Sequence, residues 1–264
     1  KRSMPGTSPD EDCRVAMTLV GGRDLLAAAE RGGYAIPGCN VSNIELALGV
    51  VDAAESRRAP LLLQLNPANL DHFGGLTIAA ASIRALAERA EVPIAVHLDH
   101  GSSVAMLRAA VQVGFTSLMF DGSTLSLDRN IRETRDAYAV AIGANVALEA
   151  ELGHVSGREP GVLISEAALT DPEAARRFVE ETKVDSLAVS VGTAHGLAGE
   201  VDLDLVVRLR EATHGLPLVL HGGSGVRPGQ LREAVAVGIR KVNLSTELHT
   251  AFARGIKEMS GNDP

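Results

Sequence analysis

Residues 92–114 read "VPIAVHLDHGSSVAMLRAAVQVG". Val92, Ile94, Ala95, Val96 and Leu98 form an apolar run of strand length. From Ser103 onward the apolar residues recur at helical spacing, and the stretch ends on Gly114, a residue suited to a helix C-terminus. Between the two halves stand His97, Asp99 and His100. Strand, polar junction and helix in so short a stretch make one βα unit.

The unit recurs along the chain. Strand-length apolar runs lie at 34–39, 60–65, 94–98, 117–120, 146–150, 186–191, 218–220 and 241–244. Most lack alternation, the mark of parallel strands covered on both faces. Helical stretches separate them: "NIELALGVVDAAESRR", "TIAAASIRALAERA", "SVAMLRAAVQVG", "LDRNIRETRDAYAVAIG", "DPEAARRFVEET", "LDLVVRLREAT", "RPGQLREAVAVG" and "TELHTAFARGIKEM". Gly143 is expected to end the fourth of these as Gly114 ends the third, and Asp171 and Pro172 to open the fifth as N-cap and first helical residue. Eight such units predict an α/β fold, an eight-stranded parallel (β/α)8 TIM barrel. The competing fold, a doubly wound open sheet, places a Gly-rich loop after its first strand. Here that strand leads into "PGCNVSN", without the glycine pattern.

Composition narrows the function. The chain has 264 residues, a formal net charge of −8 and an isoelectric point near 5.5. That opposes nucleic-acid binding, which needs a basic surface. No run of 18 apolar residues offers a membrane span. Residues 1–17, "KRSMPGTSPDEDCRVAM", lack the apolar centre of a signal peptide and read as a disordered leader or expression remnant. A single barrel domain is expected over 18–264. Two cysteines, Cys13 and Cys39, make no disulfide framework, so a reducing, cytoplasmic setting is expected.

Barrel enzymes carry their chemistry at the C-terminal ends of the strands. Those ends hold Asn40, then Asp99 and His100, Asp121, Glu149 and Glu151, His195, His221, and finally Asn243 with Ser245 and Thr246. A lone strand-end histidine is usually a satisfied hydrogen-bonder, and a lone aspartate a helix cap. Three histidines with several carboxylates on one rim fit a zinc-type divalent ion with an open coordination position, beside groups for acid–base work. His97, one pleat from Asp99, is expected behind that set. His72, His214 and His249 are expected in structural or exposed places. The glycines of "HGGSG" and the hydroxyls of "NLST" fall where barrels commonly hold a phosphate.

The motifs "HLDHGSS", "MFDGS", "EAELG", "AVSVGTAHG", "LVLHGGSG" and "KVNLSTEL" resemble, in order and spacing, the class II, zinc-dependent ketose-bisphosphate aldolases, over about residues 18–258. The resemblance implies a carbon–carbon lyase that reversibly cleaves a phosphorylated ketose into a dihydroxyacetone phosphate-type enediolate and an aldehyde. It implies that His100, His195 and His221 bind Zn2+ or another divalent ion, with Glu151 and Asp121 beside it, and that a monovalent cation such as Na+ or K+ can accompany it. Asp99 matches the family's catalytic aspartate. Glu159, in the mobile loop "GHVSGREPG", matches the glutamate that moves the proton at the ketone's reacting carbon. Asn40, Gly196, Gly222, Ser224, Asn243, Ser245 and Thr246 match positions that hold the substrate and its phosphate. The implied partners are a small sugar phosphate and further copies of the chain, as a homodimer or homotetramer, with no nucleic acid and no membrane.

Two motifs depart from that pattern. Relatives carry a phosphate-binding lysine shortly after "GTAHG", where this chain reads "LAGEVDLD", and Arg158 stands beside Glu159 in place of an acid. Arg227 is a candidate replacement cation, set against its plainer reading as a solvated residue at a helix start. The missing lysine motivates an alternative, a metal- and sugar-phosphate-binding barrel with altered catalysis. A metal-dependent hydrolase barrel would favour an HxH pair on strand one, which is absent. No Schiff-base lysine is expected, since Lys183 and Lys257 belong to helices and Lys241 begins the eighth strand, at the far end of the barrel.

Overall fold

Each of the eight predicted apolar runs falls on a barrel strand, its outer face covered by helices. The computed structural model describes residues 18–154, 156–159, 162–164, 168–195 and 199–261; for 156–159, 162–164 and 195 it describes the backbone alone. The expected leader, 1–17, lies outside the described residues, as does Gly196. Helix α1 (Gly22–Gly32) precedes β1 (Ile36–Asn40), followed by α2 (Ile44–Arg57), β2 (Leu61–Leu65), α3 (Pro67–His72), α4 (Leu76–Arg89) and β3 (Ile94–Gly101). Then come α5 (Val104–Gln112), β4 (Ser117–Phe120), α6 (Leu127–Gly143) and β5 (Ala147–Leu152). An excursion holds β6 (Ser156–Glu159) and β7 (Val162–Ile164). The remainder is α7 (Pro172–Thr182), β8 (Ser186–Val189), β9 (Ala194–His195), α8 (Leu203–Ala212), β10 (Leu218–Leu220), α9 (Pro228–Val237), β11 (Ile239–Leu244) and α10 (Thr246–Ser260).

Eight strands close a barrel in the order β1-β11-β10-β8-β5-β4-β3-β2, every neighbouring pair parallel. This is the (β/α)8 TIM barrel expected from the βα units. The core lies between strands and helices. Ile94, Val96 and Leu98 of β3, Leu118 and Phe120 of β4, and Leu148 and Ala150 of β5 face outward into it. The alternate residues face the lumen, and many of them are polar: His97 and Asp99 from β3, Glu149 and Glu151 from β5, Lys241 and Asn243 from β11, all buried.

Helix α1 closes the N-terminal mouth. Leu25 and Ala29 pack on Ile36, Leu62 and Ala95, and at Gly22 a Cβ would run into the Ser117 side chain, so only glycine sits there. The C-terminal mouth is thereby the one open to a ligand.

Local signals act largely as read. Gly114 takes a φ of 91° and its N–H bonds to Val111 O at 3.0 Å. The Asp171 carboxylate accepts from the Ala174 N–H at 2.8 Å, with Pro172 in the first turn. Gly143 differs: it belongs to the last turn of α6, and the chain reverses at Asn145, φ 55°. Asparagine tolerates that left-handed conformation, so the expected glycine stop is not used. The "GHVSGREPG" stretch is not all loop either. Within it β6 pairs antiparallel with β7 and parallel with β9, setting Gly157 opposite His195.

Candidate active site

The polar junction of the opening stretch is built by a defect in β3. Successive strand residues point to opposite faces, so Asp99 and His100 should part company. Instead the β3–β4 register jumps: Leu98 pairs with Leu118 and Gly101 with Phe120, so two residues of β3 oppose Met119 alone. This is a bulge. His100 takes a φ of 48°, and its N–H reaches Met119 Sδ at 3.4 Å. Gly101 permits the crossing, because a Cβ there would lie 2.5 Å from Met119 O. The bulge turns both side chains to the lumen side of the rim, Asp99 buried and His100 with 12% of its side chain exposed.

Four carboxylates surround two rings. His100 donates from Nδ1 to Asp121 Oδ2 at 2.8 Å, and Asp121 Oδ1 accepts from the Ser123 N–H at 3.0 Å. With Nδ1 donating, the lone pair of a neutral His100 lies on Nε2, 4.0 Å from Asp99 Oδ2. His221 turns Nε2 to Glu149 Oε1 at 3.1 Å. The rings of His100 and His221 stand edge to face, centroids 4.8 Å apart. Glu151 lies between them, Oε2 3.7 Å from His100 Nδ1 and 3.9 Å from His221 Nδ1. Ligand atoms of Asp99, His100 and His221 lie within 4.8 Å of one another, as do those of His100, Asp121 and Glu151.

Asp99 is clamped. Asn40 donates to its Oδ2 at 2.7 Å and Asn243 to its Oδ1 at 3.1 Å. Gln64 in turn donates to Asn40 Oδ1 at 2.9 Å. Burial works to raise the Asp99 pKa, but the pull of His100, His221 and Lys241 outweighs it and holds the group down at about 2. Asp121 and Glu149 are likewise held below the usual carboxylate range despite burial, Asp121 by its hydrogen bond from His100 and Glu149 by Lys241. Burial lowers the His221 pKa, against the opposing pull of Glu149.

The glycine loop after β10 packs against Ala194, the residue before His195. Gly222 has a φ of 70°, and a Cβ there would meet Ala194 O at 2.8 Å. The Ser224 hydroxyl accepts from the Ser245 N–H at 3.2 Å and the Glu247 N–H at 3.4 Å, at the N-terminus of α10. Amides there suit an anion. Thr246 opens that helix. Arg227, by contrast, is an exposed helix-start residue beside Glu200 at 3.2 Å.

Of the residues predicted from sequence, Asn40, Asp99, His100, Asp121, Glu151, His221 and Asn243 come together on one rim. The side chains of His195 and Glu159, and all of Gly196, lie outside the described residues. His97 sits deeper, bonding Ser117 and Lys241 rather than the rim. Lys241 corrects the expectation set for it. It lies inside β11, not at its start, and is fully buried in the lumen, Nζ 2.7 Å from Glu149 Oε2. The strand begins two residues earlier, at Ile239. Gln64 and the role of Glu149 were also missed. The signal was parity: 241 shares a face with 243, and 149 with 151.

A family model described as "Fructose-bisphosphate aldolase class-II" matches residues 20–264. A fructose-bisphosphate aldolase of Streptococcus pyogenes serotype M3 is 37% identical over 252 residues, 93% of this chain and 85% of that protein. One from Geobacillus stearothermophilus is 36% identical over 253 residues, 94% of this chain and 88% of that protein. Among solved structures, the YdjI aldolase of Escherichia coli K12 superposes with a TM-score of 0.83 at 34% identity, covering 93% of this chain and 88% of that one.

Proposed function

The chain belongs to the class-II fructose-bisphosphate aldolase family, a family of metal-dependent lyases acting on sugar phosphates, and from that premise we propose which of its residues cleave a phosphorylated ketose into dihydroxyacetone phosphate and an aldehyde. The observation that carries the assignment is the β3 bulge, which brings Asp99 and His100 to the same rim as His221. The donor set fits a divalent ion: each ring ties one nitrogen to a carboxylate, and in its neutral form the other nitrogen is the one that can ligate. We assign His100, His195 and His221 as the ligands, Glu151 as a further oxygen donor, Asp121 as the group that orients His100, and zinc as the ion. When bound, the ion supplies a Lewis acid for the negative charge that grows on the ketose oxygens.

The chain's own groups do the rest. Asp99, ionised and gripped by Asn40 and Asn243, takes the proton from the hydroxyl next to the breaking carbon–carbon bond and returns it in condensation. Glu159 moves the proton at the ketone's carbon. The glycines at 196 and 222, Ser224, Ser245 and Thr246 hold the phosphate with backbone N–H groups and hydroxyls, which requires Ser224 to share the amides it now accepts from. A homodimer or homotetramer in a reducing cytosol completes the reading; the buried, unpaired Cys39 thiol, its pKa pushed up to about 12 by burial, suits that compartment.

The test is cleavage of fructose 1,6-bisphosphate, tagatose 1,6-bisphosphate and a deoxy-sugar phosphate, with dihydroxyacetone phosphate as the measured product. One of them should be cleaved, activity should vanish with a chelator, and Zn2+ should restore it. Full turnover after complete metal removal would overturn the assignment.

A further inference from the structure

Beneath the rim the lumen holds a charged pair that the chemistry above does not use. Lys241 comes from β11, Glu149 from β5 and His97 from β3, strands that are not neighbours in the barrel. Their contacts therefore cross the lumen. Lys241 Nζ lies 2.7 Å from Glu149 Oε2 and 3.2 Å from His97 Nε2, and Glu149 gives its other oxygen to His221 Nε2 at 3.1 Å. All four residues are buried.

Stability is a poor account of this pair. Burying two charges costs several kcal/mol per ion before their attraction offsets it, and an apolar pair of similar volume often serves as well or better. Hydrogen-bond direction offers another account. A lysine ammonium held by a carboxylate has only donors, so His97 Nε2 must accept and His97 Nδ1 must carry the hydrogen, which it donates to Ser117 Oγ at 2.7 Å. Lys241 is thus fixed by two acceptors and presents its charge to Glu149. At His221 the direction follows from Glu149. The Asn243 amide nitrogen is also 3.1 Å from His221 Nε2. A bare Nε2 lone pair would be repelled by the Glu149 carboxylate, so Nε2 carries hydrogen and donates to Glu149. Asn243 instead donates to Asp99.

We infer that Lys241 is a positioning residue: it holds Glu149 as a fixed acceptor, Glu149 fixes the Nε2–H tautomer of His221, and that ring consequently presents its Nδ1 lone pair to the ion. The inference rests on the reading of His221 as an ion ligand.

Co2+ serves as the probe, because its visible absorption reports the ligand set. The pair Lys241→Met with Glu149→Leu removes both charges and leaves an apolar contact, so the barrel should fold, yet His221 Nε2 loses its acceptor. Competition with a chelator should show Co2+ affinity falling roughly 10–100-fold, with an altered absorption band. Lys241→Met with Glu149→Gln keeps an amide oxygen for Nε2 but not the lysine that holds it, and should recover only part of that loss. Nitrogen-15 shifts of the wild-type metal-free protein, with the His221 signals identified by their loss in His221→Asn, should show hydrogen on Nε2. Wild-type Co2+ affinity and spectrum in both paired variants, or hydrogen on Nδ1 in the wild type, would overturn the inference. A wild-type protein that takes up no Co2+ would instead overturn the metal-site reading, and this inference with it.

Discussion

Asp99 sits where two amides converge, and the convergence predicts how it fails. Asp99→Asn preserves the volume but sets an amide NH2 against a donor, Asn40 or Asn243, so one buried N–H loses its acceptor. A stability loss of about 1–3 kcal/mol should follow, read by urea unfolding. Cleavage should fall roughly 10²–10⁴-fold, the usual worth of a positioned proton carrier. An unimpaired rate would remove Asp99 from the chemistry. His97 makes a different prediction, about pH. Burial first, then the neighbouring Lys241, lowers its pKa from 6.5 to about 3. Between those values the unfolded chain binds a proton that the native ring refuses. Stability therefore falls as the pH drops below 6.5, by about 1.4 kcal/mol per unit from this residue alone. His97→Gln keeps an acceptor for Lys241 and should flatten that limb. Unfolding midpoints of the metal-free proteins at neutral pH and one unit below 6.5 would show it, and equal slopes would refute it.

At the scale of elements, legibility follows from what each segment packs against. β4 and β10 begin and end where their apolar runs do, because a strand buried on its outer face announces itself by composition. α6 matches its periodic stretch to the residue. α1 was not read: it packs on the barrel's closed mouth through Leu25 and Ala29, and it precedes the first strand, outside the strand–helix alternation that marks the others. β6 and β7 are short: β6 pairs with β7 and with the two residues of β9, and its sequence, Ser156–Glu159, carries no apolar run, while the three apolar residues of β7 are too few to mark a strand. The rim histidines and carboxylates were visible as polar residues ending apolar runs. The bulge was not, since nothing in "HLDHGSS" states that His100 adopts a positive φ, although placing Asp99 and His100 in one site demands some break in alternation. That break predicts a mutant. Gly101→Ala puts a methyl 2.5 Å from Met119 O and 2.6 Å from Leu107 Cδ1. The backbone oxygen cannot step aside as a side-chain tip can, so stability should drop by about 1–3 kcal/mol. Metal uptake should weaken too, because the bulge aims His100. Wild-type Co2+ affinity in this variant would separate the bulge from the site.

For the whole molecule, the question is whether the ion holds the fold or the fold holds the ion. In a zinc finger the ligands replace a missing core, and removing the metal unfolds the chain. Here the barrel closes through its own parallel ladders, with Leu, Val, Ile and Ala packed between strands and helices. The proposed ligands lie at the C-terminal ends of the strands or just past them, where few ladder bonds remain to be made. Inside, Lys241 already balances one of the buried carboxylates without any ion. Among the described residues no helix is long and apolar enough to cross a membrane. The fold should therefore survive metal removal. Chelated protein should keep its far-UV circular dichroism and melt in one cooperative step. Restoring the ion at 100 times its dissociation constant should add about 2.7 kcal/mol to the native state, which in a chain of this size raises Tm by roughly 5–10 °C. Unfolding on chelation would mean that the carboxylates crowded at the rim repel one another more strongly than the surrounding core can resist, and the ion would then be a structural element as well as a chemical one.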